Sequence, residues 1–190
     1  MVELRNKYKI GVRRFSKVNW VGFYGLWSKE CARFLIVWQQ TILSPIVSAS
    51  LLLLVLHLAI GDSRGEVLNT PFINFLTPGL ICMQVCSQAF SHSSSSIMIG
   101  KMQNILVDTI MAPLSASEIT LAIIFAAVAR SVIIAISCII FFSFFVDLSI
   151  KNIWLLIFFT ICGSFILACL GFMAAQYSDK FDNLSSITNF

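Results

Sequence analysis

The sequence predicts an all-α protein: a polytopic transmembrane helical bundle preceded by an amphipathic helix lying in the membrane interface. Three observations predict it. The 190 residues are 58% hydrophobic and only 12% charged, about half the charged share that covers a soluble domain. The mean hydropathy is +0.89, so much of the exterior must meet lipid. Long runs without Asp, Glu, Lys or Arg alternate with short charged segments. The 17 Phe residues fit a lipid-facing or tightly packed helical exterior.

The chain opens on a basic tail, residues 1–18. Arg5, Lys7, Lys9, Arg13, Arg14 and Lys17 precede the first apolar stretch. That placement makes the net charge of +4 a membrane-flanking topology signal, with contact to anionic lipid heads as the lesser reading. It is not the footprint of a nucleic-acid surface. The first long apolar run begins near residue 34, too far in and too long for a cleavable leader.

Residues 19–40 form the interfacial helix. At 100° per residue, Trp20, Phe23, Tyr24, Trp27, Cys31, Phe34, Leu35 and Trp38 share one stripe, and Lys29 and Arg33 lie opposite. An aromatic stripe with a basic reverse side is the pattern of a helix lying on a bilayer. A helix packed on a soluble partner would look similar, but a span follows at once.

Four charge-poor runs give one span each, because a crossing takes about 20 residues. Span one is 41–60, span two 72–92, span three 118–145 and span four 152–176. The soluble segments then fall into two sets. Basic residues stand at 5, 7, 9, 13, 14, 17, 29, 33, 101 and 180 in one set, and only at 64 and 151 in the other. By the positive-inside rule the first set, with the N-terminus, is cytoplasmic.

Between spans two and three lies a cytoplasmic segment, 100–117. Met102, Ile105, Leu106 and Ile110 recur at helical spacing, with Lys101, Asn104 and Asp108 on the other face. Pro113 ends that short helix, since proline lacks a donor and clashes with the preceding turn. Ser115-Ala116-Ser117-Glu118 then reads as a capping box opening span three. A plain connector has no need of an amphipathic helix.

Residues able to do chemistry are sparse. His57 lies in span one and His92 at the inner end of span two, neither within a metal-protease or serine-hydrolase motif. The run from Ser91 through Ser96 reads as a helix end entering water. Cys31, Cys82, Cys86, Cys138, Cys162 and Cys169 contain no CxxC pair and read as small apolar packing residues, with no disulfide framework and no metal site. Arg130 is the one charge inside a span, at a cost of roughly 2.5–3.5 kcal/mol on insertion scales. It should face the bundle or a wet cavity, either on a substrate path or intersubunit contact or in a structural pairing. No phosphate-binding loop is present, so any nucleotide energy must come from another polypeptide.

Taken together, several segments resemble the type-2 ABC transporter permeases, the membrane subunits of bacterial ABC exporters. The likeness runs from about Trp20 to Phe190. It includes Gln40-Thr41-Ile42-Leu43-Ser44-Pro45-Ile46 entering span one and Phe72-Ile73-Asn74-Phe75-Leu76-Thr77-Pro78-Gly79 opening span two. It continues with the segment from Lys101 to Ser115, similar to the family's coupling segment, and with Phe181-Asp182-Asn183-Leu184-Ser185, similar to the approach to span five. The resemblance implies a separate cytoplasmic ATP-binding subunit contacted by Lys101, Gln103, Asn104, Asp108, Pro113 and Leu114. It implies a second permease copy, as homodimer or heterodimer, with the substrate path between the two. ATP would bind the partner, leaving this chain without a cofactor of its own.

The family pattern continues beyond span four, whereas this sequence stops over 181–190 as a fifth span would begin. A truncated gene product or fragment is therefore expected. The first reading is a non-enzymatic exporter permease in a bacterial inner membrane; the alternative is a membrane scaffold or assembly protein that binds through the same segment and transports nothing. An intramembrane enzyme is the weakest reading, for want of clustered nucleophile, base or metal ligands.

Overall fold

A computed structural model describes residues 18–64, 66–67, 70–146, 152–178 and 183–184. The basic tail over 1–17, Lys151, Lys180 and most of the 181–190 segment lie outside the described residues.

Helix α1, Trp20–Ile36, starts at Asn19, whose Oδ1 accepts the Gly22 N–H at 3.0 Å. This supplies one of the donors left open at a helix start. A π-helical turn, Gln39–Leu43, joins it to α2, Ser44–Arg64. The buried Thr41 hydroxyl crosses that junction to donate to the Phe34 carbonyl at 3.2 Å. Two short strands, β1 (Glu66–Val67) and β2 (Thr70–Pro71), pair antiparallel at the turn that follows. The regular structure is otherwise helical among the described residues.

Helix α3, Phe72–Met102, is 31 residues long with Pro78 inside it. Asn104, at φ 56°, separates it from α4, Ile105–Met111. A non-glycine residue in the left-handed region marks a sharp change of direction. Helix α5, Ala116–Ser143, opens on the expected capping box, with both the Ser115 and the Glu118 side chains bonded as the motif requires. Helix α6 is Ile153–Tyr177.

Three described segments are long and apolar enough to cross a membrane: Gln39–Ala59, Ala116–Ser143 and Ile153–Tyr177. Their flanks carry Leu54, Leu58, Trp154, Phe159 and Met173, all exposed. Water would not tolerate that much open apolar surface on a monomer; lipid does.

Helix α3 has the length but not the apolarity, because its second half carries six serines together with Gln88, His92 and Lys101. It is also the central helix, packed against α2, α5 and α6. Here the structure corrects the sequence: α3 does not end near residue 92. His92, Ser93, Ser94 and Ser96 are buried inside the bundle and the helix runs on to Met102. The hydroxyls of Ser93, Ser94 and Ser95 each donate to the carbonyl three residues back, at 3.1–3.2 Å. With their polar atoms satisfied on their own helix, small residues let neighbouring backbones approach closely. At Gly171 of α6, an added Cβ would stand 2.5 Å from the Phe90 carbonyl oxygen and from Ser93 Oγ.

Apolar packing divides into two main clusters. One holds Leu53 of α2, Leu80 and Val85 of α3, and Ile134, Cys138 and Phe142 of α5. The other holds Ile97 and Met98 of α3, Ile123 of α5, Phe172 and Ala175 of α6, and Leu184. The second cluster places the C-terminal ends of α3 and α6 beside the N-terminal end of α5, and α1 and α4 gather at that same end.

Candidate functional site

At this end of the bundle the α1 N-terminus is tied to the segment between α4 and α5. Asn19 makes three bonds there. Its backbone N–H donates to Glu118 Oε1 at 2.6 Å, its Nδ2 to the Pro113 carbonyl at 3.1 Å, and its Oδ1 caps α1. Glu118 Oε2 accepts the Ser115 N–H at 2.7 Å. One carboxylate therefore serves the starts of two helices. Gly22 lets Leu114 close in: a Cβ there would meet Leu114 Cδ2 at 2.7 Å.

A second tie is made by Lys101. Its Nζ donates to the carbonyls of Ala175, Gln176 and Ser178 at 2.9–3.0 Å. Those are end-of-helix acceptors of α6, and an ammonium is suited to them by hydrogen bonding and by the helix dipole. Thus α4 hangs between two fixed points, Lys101 on one side and Pro113–Leu114 on the other.

Between those points Leu106 of α4 packs on the bundle, against the cluster of Ile97, Met98 and Ile123. None of its residues is buried. Val107, Ile110 and Met111 are exposed apolar side chains, with Met102 just before them; Gln103, Asn104 and Asp108 are exposed polar ones. A cleft of about 420 Å³ lies between α4 and α1, lined by Asp108 and Thr109 from α4, by Gly25, Leu26 and Lys29 from α1, and by Ala112. Of the six residues singled out in this segment, Gln103, Asn104 and Asp108 are presented outward. Lys101 and Leu114 are engaged with the chain itself, as is the carbonyl of Pro113, a residue that is otherwise exposed.

Deeper in, a polar layer joins α1, α3 and α5. Glu30 of α1 is 6% exposed; it pairs with Arg33 at 2.9 Å and accepts the Ser96 hydroxyl at 2.8 Å. Arg130 of α5 donates to Gln88 Oε1 at 2.8 Å and meets His92 Nδ1 at 3.3 Å, both on α3. The Phe34 ring stands edge-on to His92, with centroids 5.7 Å apart. Arg130 thus faces the bundle as the sequence requires, paired to polar side chains of its own chain. His57 stands apart from this layer, at an apolar groove with Phe141, Phe142 and Phe145.

Sequence reasoning missed Glu30 and the reach of Asn19 to Glu118. The buried line of α1 is Leu26, Glu30 and Phe34, four residues apart, running between the edge of the aromatic stripe, where Phe34 lies, and the basic side. Trp20, Tyr24, Leu35 and Trp38 remain exposed. Part of the aromatic stripe is therefore outward, while Phe34 at its edge is buried and Phe23 packs edge-on against Phe125; a glutamate at one-turn spacing between Leu26 and Phe34 was the available signal for the inward line.

The residues from 22 to 190 match the model of the ABC-2 type transporter family. The chain is 27% identical over 172 residues to the inner membrane transport permease YadH of Escherichia coli strain K12, covering 90% of this chain and 67% of the relative. The permease of the same name in Shigella flexneri matches to the same extent. No solved structure matches. With the family pattern covering nearly its whole length, the chain belongs to the ABC-2 type transporter family.

Proposed function

We propose that this chain is the membrane-spanning permease subunit of an ABC-type exporter in a bacterial inner membrane, with its N-terminus in the cytoplasm. In this reading a separate ATP-hydrolysing subunit docks on Gln103, Asn104, Asp108 and the exposed apolar residues of α4. A second permease copy completes the substrate path, to which Arg130 contributes. The observation that carries the reading is α4 itself: a short helix with no buried residue, yet anchored at both ends. An exposed apolar helix on a fixed mount is suited to a protein partner. Its mounts lead to α6 through Lys101 and to α1 and α5 through the Asn19–Glu118 bond. A push on α4 would therefore move whole helices as rigid bodies.

The test is co-expression with the cognate ATPase subunit. Asp108→Arg combined with Asn104→Arg should abolish co-purification and substrate-stimulated ATP hydrolysis while leaving the permease folded in the membrane. Assembly and coupling that survive both substitutions would overturn the docking assignment. ATPase capture with no substrate-dependent turnover would favour the scaffold reading.

A further inference from the structure

Arg130 carries a charge for which the described residues provide no carboxylate. Its terminal nitrogens meet two neutral partners, Gln88 Oε1 and His92 Nδ1. A guanidinium donates and never accepts, so His92 Nδ1 is the acceptor and the imidazole proton sits on Nε2. That Nε2–H and the Nε–H of Arg130 are both buried and meet no acceptor among the described residues. The acid of this polar layer, Glu30, is occupied by Arg33 and Ser96. Two orphaned donors and one uncompensated charge are each unfavourable in a low-dielectric interior, and all three defects lie in one seam between α3 and α5. An acidic acceptor is the group that answers them together.

We propose that this seam is a binding site for the acidic head, phosphate or carboxylate, of an amphiphile that reaches Arg130 from within the membrane. The route follows from position. Arg130 lies midway along α5, a helix of 28 residues long and apolar enough to span. Its neighbours one turn either way are Ala126, Ala127, Ile133 and Ile134. A free aqueous anion would have to cross that apolar wall bare, whereas a head attached to an apolar tail brings its own favourable burial. Arg130 as a residue is only partly buried, so beside its buried Nε–H part of the side chain stays open to such a head. The proposal rests on the permease reading only for the origin of the amphiphile, transported molecule or bilayer lipid.

The experiment follows thermal unfolding of the full chain, purified in an uncharged detergent, with added phosphatidylglycerol, phosphatidylcholine, monododecyl phosphate or inorganic phosphate. At saturating addition, one or both acidic amphiphiles should raise the unfolding temperature by about 5 °C more than phosphatidylcholine does, and inorganic phosphate should not. A response to phosphatidylglycerol alone identifies bilayer lipid as the source; a response to monododecyl phosphate supports the shared acidic chemistry. Arg130→Gln should lose the acid-specific shift and Arg130→Lys should keep at least half of it.

Gln88→Glu keeps the shape of the site while supplying a carboxylate from within, 2.8 Å from the guanidinium in the parent geometry. It should unfold at a higher temperature without ligand and show no acid-specific shift. An equal shift in the parent and Arg130→Gln, a full shift retained by Gln88→Glu, a response to inorganic phosphate alone, or no preference for acidic amphiphiles would overturn the site. The Asp108 and Asn104 substitutions read a different surface, so failure here and failure of ATPase docking are separate outcomes.

Discussion

The backbone N–H of Asn19 donates to Glu118 Oε1 at 2.6 Å, joining residues 99 apart in sequence. The bond makes the N-termini of α1 and α5 one unit, with the Pro113 carbonyl held by the same asparagine. Asn19→Ala removes the α1 cap and the Pro113 tie, and should cost about 1 kcal/mol, measured as a lower unfolding midpoint. Glu118→Ala removes the acceptor of two backbone N–H groups and should unfold earlier than Glu118→Gln, which keeps one acceptor oxygen. Equal midpoints for the two Glu118 variants would mean that the shared carboxylate does not hold the helix starts together.

Gly171 is where α6 comes closest to α3. A methyl group there would stand 2.5 Å from both the Phe90 carbonyl oxygen and Ser93 Oγ; the first is backbone, and the second is a hydroxyl bonded to that same carbonyl. Gly171→Ala should therefore cost about 1–3 kcal/mol by overpacking. Gly79, whose added Cβ would meet nothing within 4 Å, is the control: Gly79→Ala should be tolerated. The comparison needs only unfolding midpoints of the two variants in the same detergent.

Lys101 holds the C-terminal end of α6 through three carbonyls. Lys101→Met keeps most of the apolar stem and removes the donors. Hydrogen bonds to charged groups are worth about 1.5–3 kcal/mol each when formed singly, so a loss of about 2 kcal/mol is expected for the shared set. Hydrogen exchange should quicken at residues 174–178, while the amides of α2 are unchanged. A uniform change over the whole chain would argue against a local cap.

Much of this architecture is legible in the sequence, for reasons that particular residues make plain. The capping box at Ser115 and Glu118 and the break before Pro113 depend on neighbours a few residues away, which a linear reading sees. The end of α3 does not. A run of serines resembles an exit into water, but each hydroxyl can return to its own backbone, and then polarity no longer marks a boundary. Helix α1 shows a second limit: an amphipathic pattern separates two faces without saying which meets lipid. Trp20, Tyr24, Leu35 and Trp38 of the aromatic stripe are exposed, whereas Phe34 from the edge of that stripe is buried with Leu26 and Glu30. The bond from Asn19 to Glu118 had no local signature at all, since each residue already has a sufficient role at its own helix start.

Cys31 gives a pH-dependent readout of the buried glutamate beside it. Burial, and secondarily the negative charge of Glu30, hold its thiol above the ordinary thiol range. A raised value keeps the thiol protonated to higher pH, and only the thiolate reacts. With the other five cysteines replaced, maleimide labelling at pH 8 should be slower than that of a free cysteine and should accelerate as the pH rises toward 10. Glu30→Gln should quicken labelling at pH 8 only in part, because burial is the larger cause. No change on that substitution would remove Glu30 from the surroundings of the thiol.

The docking reading also requires that the exposed face of α4 lie on the side of the membrane where ATP is hydrolysed. Asn104 is the position to probe. It is exposed and sits at the left-handed bend before α4, and it makes no side-chain cap to that helix. Asparagine tolerates this backbone better than most residues, so Asn104→Cys will strain the bend by about 1 kcal/mol without emptying a core. In a cysteine-free background, a membrane-impermeant maleimide should leave Cys at this position unlabelled in intact cells. The same reagent should label it fully in inverted membrane vesicles. Labelling in intact cells would place α4 on the outer side, out of reach of a cytoplasmic ATPase, and would reverse the inside and outside assignment of every segment.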